Sequence, residues 1–175
     1  MEKINVKFNQ LLNFTKETDV KKAESVKLLI TDVINTPEFR TRILNADFKD
    51  RRFIDERGEY SEINDNQEIL NKIIAEKEQY TGETVDYEWD FNICLYRSLT
   101  GEVGHRKKET IFTKKRKFRN LSHRFIASHW IHEYTHVLGF THDYKRTERR
   151  PYSVPYLIST IANTILEGKE YEFLN

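Results

Sequence analysis

Five residues within an eleven-residue window could do chemistry together: His132, Glu133, His136, Gly139 and His142, in the run His132-Glu133-Tyr134-Thr135-His136-Val137-Leu138-Gly139-Phe140-Thr141-His142-Asp143. His132 and His136 are four residues apart, about one helical turn, so both rings project from one face of a helix. Two neutral imidazoles placed in this way can hold one Zn²⁺ at Zn–N distances of about 2.0–2.1 Å. Glu133 follows the first ligand directly, which puts its carboxylate beside the ion, where a general base is needed. His142 is six residues beyond His136 and too far along a straight helix to share that ion. The chain must reverse, and Gly139 supplies the means, because glycine enters the left-handed region at little cost and commonly ends helices. Three protein ligands leave a fourth position for water, the mark of a catalytic rather than a closed structural site. Bound zinc lowers the pKa of that water, and Glu133 can accept its proton.

The short form H-E-x-x-H occurs often by chance; the glycine and third histidine make the long form far more selective. Its setting is helical. Phe125, Ile126, Trp130, Ile131 and Val137 give apolar positions, and no proline or glycine falls between Leu121 and Leu138. A buried helix with incidental histidines is the plainer alternative.

The extended pattern H-E-x-x-H-x-x-G-x-x-H resembles that of the metzincin clan of zinc metallopeptidases, and residues 132–142 match it at every fixed position. The resemblance implies His132, His136 and His142 as zinc ligands, Glu133 as general base and Gly139 as the turn. Asp143 looks like the adamalysin variant of the motif, in which that residue is an anchor below the metal. The clan also carries a methionine turn, often S-x-M-x-Y. This chain departs from it, since its only methionine is Met1. The nearest equivalent is Pro151-Tyr152-Ser153-Val154-Pro155-Tyr156, where Val154 or Pro155 would form the apolar floor. Tyr156 is either the turn tyrosine, able to steady an oxyanion, or an ordinary aromatic at the start of a helix. Specific resemblance covers about residues 121–158. It implies an α+β, metzincin-like (zincin) domain of two lobes, with a small mixed sheet and helices above and a short helical lobe below. The upper lobe would span about 1–138 and the lower about 139–175, with the cleft between them.

Other elements must position this motif. Residues 20–35 carry Val26, Leu29, Ile30 and Val33 on one helical face, and Thr36-Pro37 ends the run. Residues 38–45 predict a short helix with Phe39, Ile43 and Leu44 as its apolar residues. Lys49 to Asn66 is charged and reads as a surface loop with little regular structure. Asp65 or Asn66 caps a helix through about Gln79, with Ile69, Leu70, Ile73 and Ile74 as its stripe and Gly82 as its stop. Val85, Tyr87, Trp89, Phe91, Ile93 and Leu95 alternate with Asp86, Glu88, Asp90, Asn92 and Cys94, which predicts a strand. Its acidic face is a solvated sheet face rather than a cation site. Gly101 and Gly104 mark a turn, and Thr110 to Phe118 is the returning strand. The segment 109–118 is the candidate rim for an extended substrate added as a further strand. Residues 144–153 form a basic loop, and Tyr156, Leu157, Ile161 and Ile165 support a last helix ending at Gly168. His129, three residues before His132, is expected beside the metal without binding it, whereas His105 and His123 read as surface residues.

With 175 residues, one domain with a substantial core is expected. A composition of 38% hydrophobic and 33% charged residues fits a globular chain and excludes disorder. No apolar run approaches a membrane span, and the N-terminal residues lack the apolar core of a signal peptide. A cytoplasmic or non-classically exported location is therefore expected, and separately a monomer that meets no membrane. Cys94 is the only cysteine, so no internal disulfide can form. The net charge of +1 hides an asymmetry: residues 1–90 hold 14 Lys and Arg against 20 Asp and Glu, and residues 91–175 hold 15 against 8. The basic runs at 106–108 and 114–119 could attract nucleic acid or acidic substrates, but few aromatics are interleaved for base stacking.

The function these features predict is that of a zinc-dependent metalloendopeptidase acting on peptide or protein substrates. The alternatives are a zinc-containing binding module with weak catalysis, and a nucleic-acid-associated protein using the basic segment 106–119.

Overall fold

The chain begins with a strand, β1 (Asn5–Leu12), and continues into two helices, α1 (Glu17–Ile34) and α2 (Pro37–Leu44). A short hairpin, β2 (Arg52–Ile54) with β3 (Tyr60–Glu62), precedes helix α3 (Asn66–Ala75). Strands β4 (Glu88–Tyr96), β5 (Gly104–Lys107) and β6 (Thr110–Lys114) lead into α4 (Lys115–Asn120) and α5 (His123–Val137). A single 3-10 turn, Arg150–Tyr152, then opens α6 (Val154–Ile165). The computed structural model describes residues 3–75, 87–99 and 101–167, and the architecture is mixed α+β. The expected ends of two helices, at Gln79–Gly82 and Gly168, and the strand positions Val85 and Asp86 lie outside the described residues.

The sheet runs in the order β1-β4-β6-β5, with β1, β4 and β6 parallel and β5 antiparallel at one edge. Strand β4 follows its alternation: Trp89, Phe91, Ile93 and Leu95 are buried. On the other face, where a solvated surface was expected, Glu88 and Asp90 both pair with Lys7 of β1. Strand β1 was not foreseen, and the reason is local. Its register against β4 shifts between Phe8 and Gln10. The extra residue breaks the period-two pattern, so Val6 and Phe8 fall out of phase with Leu11.

Helix α1 starts three residues earlier than expected, at Glu17, and buries Val26, Leu29, Ile30 and Val33. Thr36 ends one helix and caps the next, its hydroxyl accepting from the Phe39 N–H at 3.1 Å with Pro37 in the first turn. Helix α2 buries Phe39 and Ile43 and leaves Leu44 41% exposed. Asp65 caps α3 by accepting from the Glu68 N–H at 2.7 Å.

Helix α5 lies against the sheet through an aromatic layer. Tyr134 stacks on Trp89 at 4.6 Å and lies 4.7 Å from Phe91, centroid to centroid. Its hydroxyl accepts from the Asp90 N–H at 3.2 Å. The Trp130 indole N–H donates to the Thr113 hydroxyl at 3.0 Å. Buried polar groups thus find partners while the rings exclude water, and the roll of α5 about its axis is fixed. That roll leaves His132, Glu133 and His136 lining a cleft beside the edge strand β5. One buried apolar cluster extends from Ile4 to Leu166 and includes residues on both sides of Gly139.

Candidate metal centre

Helix α5 starts at Ser122, whose hydroxyl accepts from the Phe125 N–H at 3.1 Å. From there the spacing places His132 and His136 on one face, with ring centroids 5.0 Å apart. His142 joins them, 5.4 Å from His132 and 4.8 Å from His136. One nitrogen from each ring lies within 4.8 Å of the others, close enough to hold one metal ion. Among the described residues these three form the one such cluster of His, Cys, Asp or Glu.

The donor set suits a divalent metal. The His136 Nδ1–H donates to the Phe140 carbonyl at 2.7 Å, and the His142 Nδ1–H to the Asp143 carbonyl at 2.9 Å. The His132 ring likewise donates to the carbonyl of Pro155. Each ring is therefore oriented by the nitrogen that faces away from the cluster, leaving the other with its lone pair. Burial holds all three imidazoles below the usual histidine range, His136 down to about 3. Burial thus favours the neutral form, the one a metal ion requires of an imidazole.

The reversal that returns His142 is a helix-ending motif of two crossed bonds. The Phe140 N–H donates to the Thr135 carbonyl at 3.0 Å and the Gly139 N–H to the His136 carbonyl at 3.1 Å. Gly139 has φ +111°, and a β-carbon there would strike the Ile54 carbonyl and the Phe53 ring. Those neighbours belong to β2, which lies in the stretch expected to be a surface loop. The Ile54 N–H donates to the Gly139 carbonyl at 2.9 Å and the Thr141 N–H to the Arg52 carbonyl at 3.1 Å. A few residues earlier, the Val154 N–H donates to the Asp50 carbonyl at 3.2 Å and the Lys49 N–H to the Tyr152 carbonyl at 3.0 Å. Segment 49–54 thus binds both strands of chain that follow α5. Its charge masked this role, because Arg52 is spent on an internal network. Its guanidinium pairs with the buried Asp50 and donates to Asp143 at 2.6 Å. Asp143 also accepts from Thr147 at 2.6 Å and Arg149 at 3.1 Å, and these partners hold its carboxyl well below the usual range. Asp143 is an anchor beneath His142 and offers no atom to the histidine cluster.

The cluster opens into a cleft of about 780 Å³. Glu133 lies in its wall, and burial pushes its carboxyl up to about 7. The Arg106 main-chain N–H donates to it. His129 sits one turn before Glu133, its Nδ1 at 3.7 Å from the carboxylate, and burial lowers it to about 4. It is packed beside the site and is not part of the cluster. A β-carbon on Gly104 would lie 2.8 Å from the His129 Nε2, so this glycine lets β5 approach α5. Tyr156 lies with its ring 4.7 Å from that of His132 and 5.0 Å from that of His142. It is both a residue of the last helix and a wall of the cleft. Val154 and Pro155, expected as the floor, are buried just before it. His105 is exposed and stacks on Phe112 at 5.3 Å.

One expectation is overturned. The segment 109–118 is not the rim of the cleft. Its first part, β6, is paired on both sides, and its last part turns into α4. The strand facing the cleft is β5, whose Gly104, His105 and Arg106 line it. Period-two patterning identifies strands without ranking them across a sheet, and a four-residue edge strand rich in Arg and Lys carries almost no such signal. Arg106, Arg150 and Ser159 also line the cleft without having been singled out as site residues. When the chain was compared with protein-family models, with curated proteins and with solved structures, none of the three gave a match.

Proposed function

We propose that the protein is a zinc-dependent endopeptidase of metzincin-like organisation. The observation that carries this reading is the convergence of three neutral imidazoles and one buried carboxylate on a single open cleft. Neutral nitrogen donors from three histidines favour zinc among the common divalent ions. When bound, zinc would supply Lewis acidity to water and to a peptide carbonyl.

The chain's own residues supply the rest. Glu133, one residue after the first ligand, takes a proton from the attacking water and returns it to the leaving amine. Its burial keeps its proton affinity near neutrality, where both transfers are feasible. Strand β5, at the edge of the sheet and lining the cleft, suits an extended peptide as a further strand. Tyr156, in contact with two of the ligand rings, is positioned to steady negative charge on the carbonyl oxygen.

The deciding experiment is cleavage of a broad protein substrate by the zinc-loaded protein and by its Glu133→Gln variant. A fall of about 10²–10⁴-fold in kcat, with zinc content unchanged, is expected from loss of the base. Equal activity in the two proteins would sink the mechanism.

A further inference from the structure

Three arginines surround the loop that follows His142, and two of them are neutralised. Arg52 pairs with Asp50 and Asp143, and Arg149 pairs with Asp143. Arg150 has no carboxylate partner among the described residues, yet it lines the cleft. Its main chain is fixed in the 3-10 turn, where its carbonyl accepts from the Ser153 N–H at 3.1 Å and the Ser153 hydroxyl at 2.8 Å. Its side chain is fixed as well. Nη1 donates to the Tyr144 carbonyl at 3.0 Å, and the guanidinium carbon lies 5.2 Å from the centre of the Tyr156 ring. Nε is shielded from water and makes no hydrogen bond. Nη2, beside it, has no protein partner among the described residues. The guanidinium therefore meets no carboxylate among the described residues, and Nη2 is the terminal donor it leaves for a ligand.

The location gives this a meaning. The Tyr156 ring is in contact with His132 and His142, so the guanidinium lies about one ring away from the histidine cluster. Arg106 of β5, which also lines the cleft, donates from Nη1 to the Lys108 carbonyl and has no ion-paired carboxylate among the described residues, although its charge acts on Glu133. The acidic groups lining the cleft are Glu102 and Glu133. Glu133 accepts from the Arg106 N–H and is reserved for proton transfer in the reading above. A partly buried cation without a counter-charge is costly, and a ligand carboxylate removes that cost.

We propose that the cleft selects acidic peptides, with Arg150 receiving a Glu or Asp side chain close to the scissile bond. The proposal rests on the peptidase reading for its substrate class, but binding alone tests it. The probes are three fluorescein-labelled decapeptides identical except for a central Glu-Glu, Gln-Gln or Lys-Lys pair. They are titrated against zinc-loaded Glu133→Gln protein and offered to the parent for cleavage. The Glu-Glu peptide is expected to bind about tenfold more tightly than Gln-Gln, since one well-placed ion pair is worth at least that. In Glu133→Gln/Arg150→Gln the two should bind within about twofold of each other. If that variant does not fold, Arg150→Lys with a salt titration replaces it: the preference should shrink steeply between about 50 and 300 mM NaCl. Equal binding of the Glu-Glu and Gln-Gln peptides, or a preference untouched at Arg150 and by salt, overturns the proposal. So does tighter binding of a ten-nucleotide oligothymidine than of the Glu-Glu peptide. Arg150-dependent binding with no cleavage by the parent would remove the peptidase reading and leave this one standing. Equal cleavage of all three peptides, with equal binding, would do the reverse.

Discussion

At Gly139 a single missing β-carbon decides whether the third imidazole reaches the other two. The positive φ and the close approach of Ile54 and Phe53 act together there. Gly139→Ala is expected to cost at least about 1–3 kcal/mol, from the left-handed backbone and the contact. Urea unfolding measures the loss, and zinc stoichiometry at the same time should fall below one per chain. Tyr156 is a different kind of residue, since its ring packs on two histidines whether or not its hydroxyl acts. Tyr156→Phe keeps the packing and removes only the oxygen. On the proposed mechanism kcat should drop by about 10²–10³-fold, the usual effect of losing one oxyanion donor, with KM and Tm little changed. An unchanged kcat would leave Tyr156 as packing alone.

Among the elements, the short hairpin strand β2 has an influence out of proportion to its three residues. It holds the segment bearing His142 through main-chain bonds and through the Asp50–Arg52–Asp143 network. Removing the guanidinium strands the buried carboxylate of Asp50. Arg52→Met is therefore expected to destabilise the protein by about 3–5 kcal/mol and to weaken zinc binding in a competition assay. A similar tie joins α1 to α4. The Arg119 guanidinium donates to the buried Asp19 at 2.8 and 2.7 Å and lowers its carboxyl below the usual range. A lowered folded-state pKa contributes stability that is present above the unfolded value of about 4 and is lost as pH falls through the folded value. Urea midpoints should therefore fall as the pH is taken from about 5 to below 3. In Asp19→Asn this fall should be smaller, and the variant should be weaker at neutral pH by about 1.5–3 kcal/mol, the worth of hydrogen bonds to a charged group.

For the whole molecule, a metal ion held by the histidine cluster would share one equilibrium with folding. The three clustered histidines come from one helix and the loop after it, and that loop is held by β2 and followed by α6. An ion that binds only the folded arrangement should add about 2.7 kcal/mol at a hundredfold excess over its Kd. Thermal unfolding should accordingly shift upward on adding zinc and back on chelation, and His136→Ala should abolish the shift while leaving the fold in place. No helix among the described residues is long and apolar enough to cross a membrane. The uneven charge of the chain also matters at this scale, because the cleft is lined from the basic half, with Arg106 on one side and Arg150 on the other.

Helix periodicity in the sequence sufficed for α1, α2 and α5, and alternation sufficed for β4, because in each the apolar spacing reports a single buried face. The order of the motif likewise sufficed to predict that the three histidines meet and that Gly139 turns the chain, since those residues are neighbours along one helix and its cap. Everything that depends on distant segments meeting was decided by tertiary structure alone. Arg52 reaches Asp143 across ninety-one positions, β5 rather than β6 takes the cleft edge, and β1 joins the sheet through a bulge that hides its period. The physical reason is the same in each case. Local patterning records which side of an element avoids water, but not which remote chain supplies the contact, so a charged stretch such as 49–54 reads as surface until the carboxylates that neutralise it are brought to it by the fold.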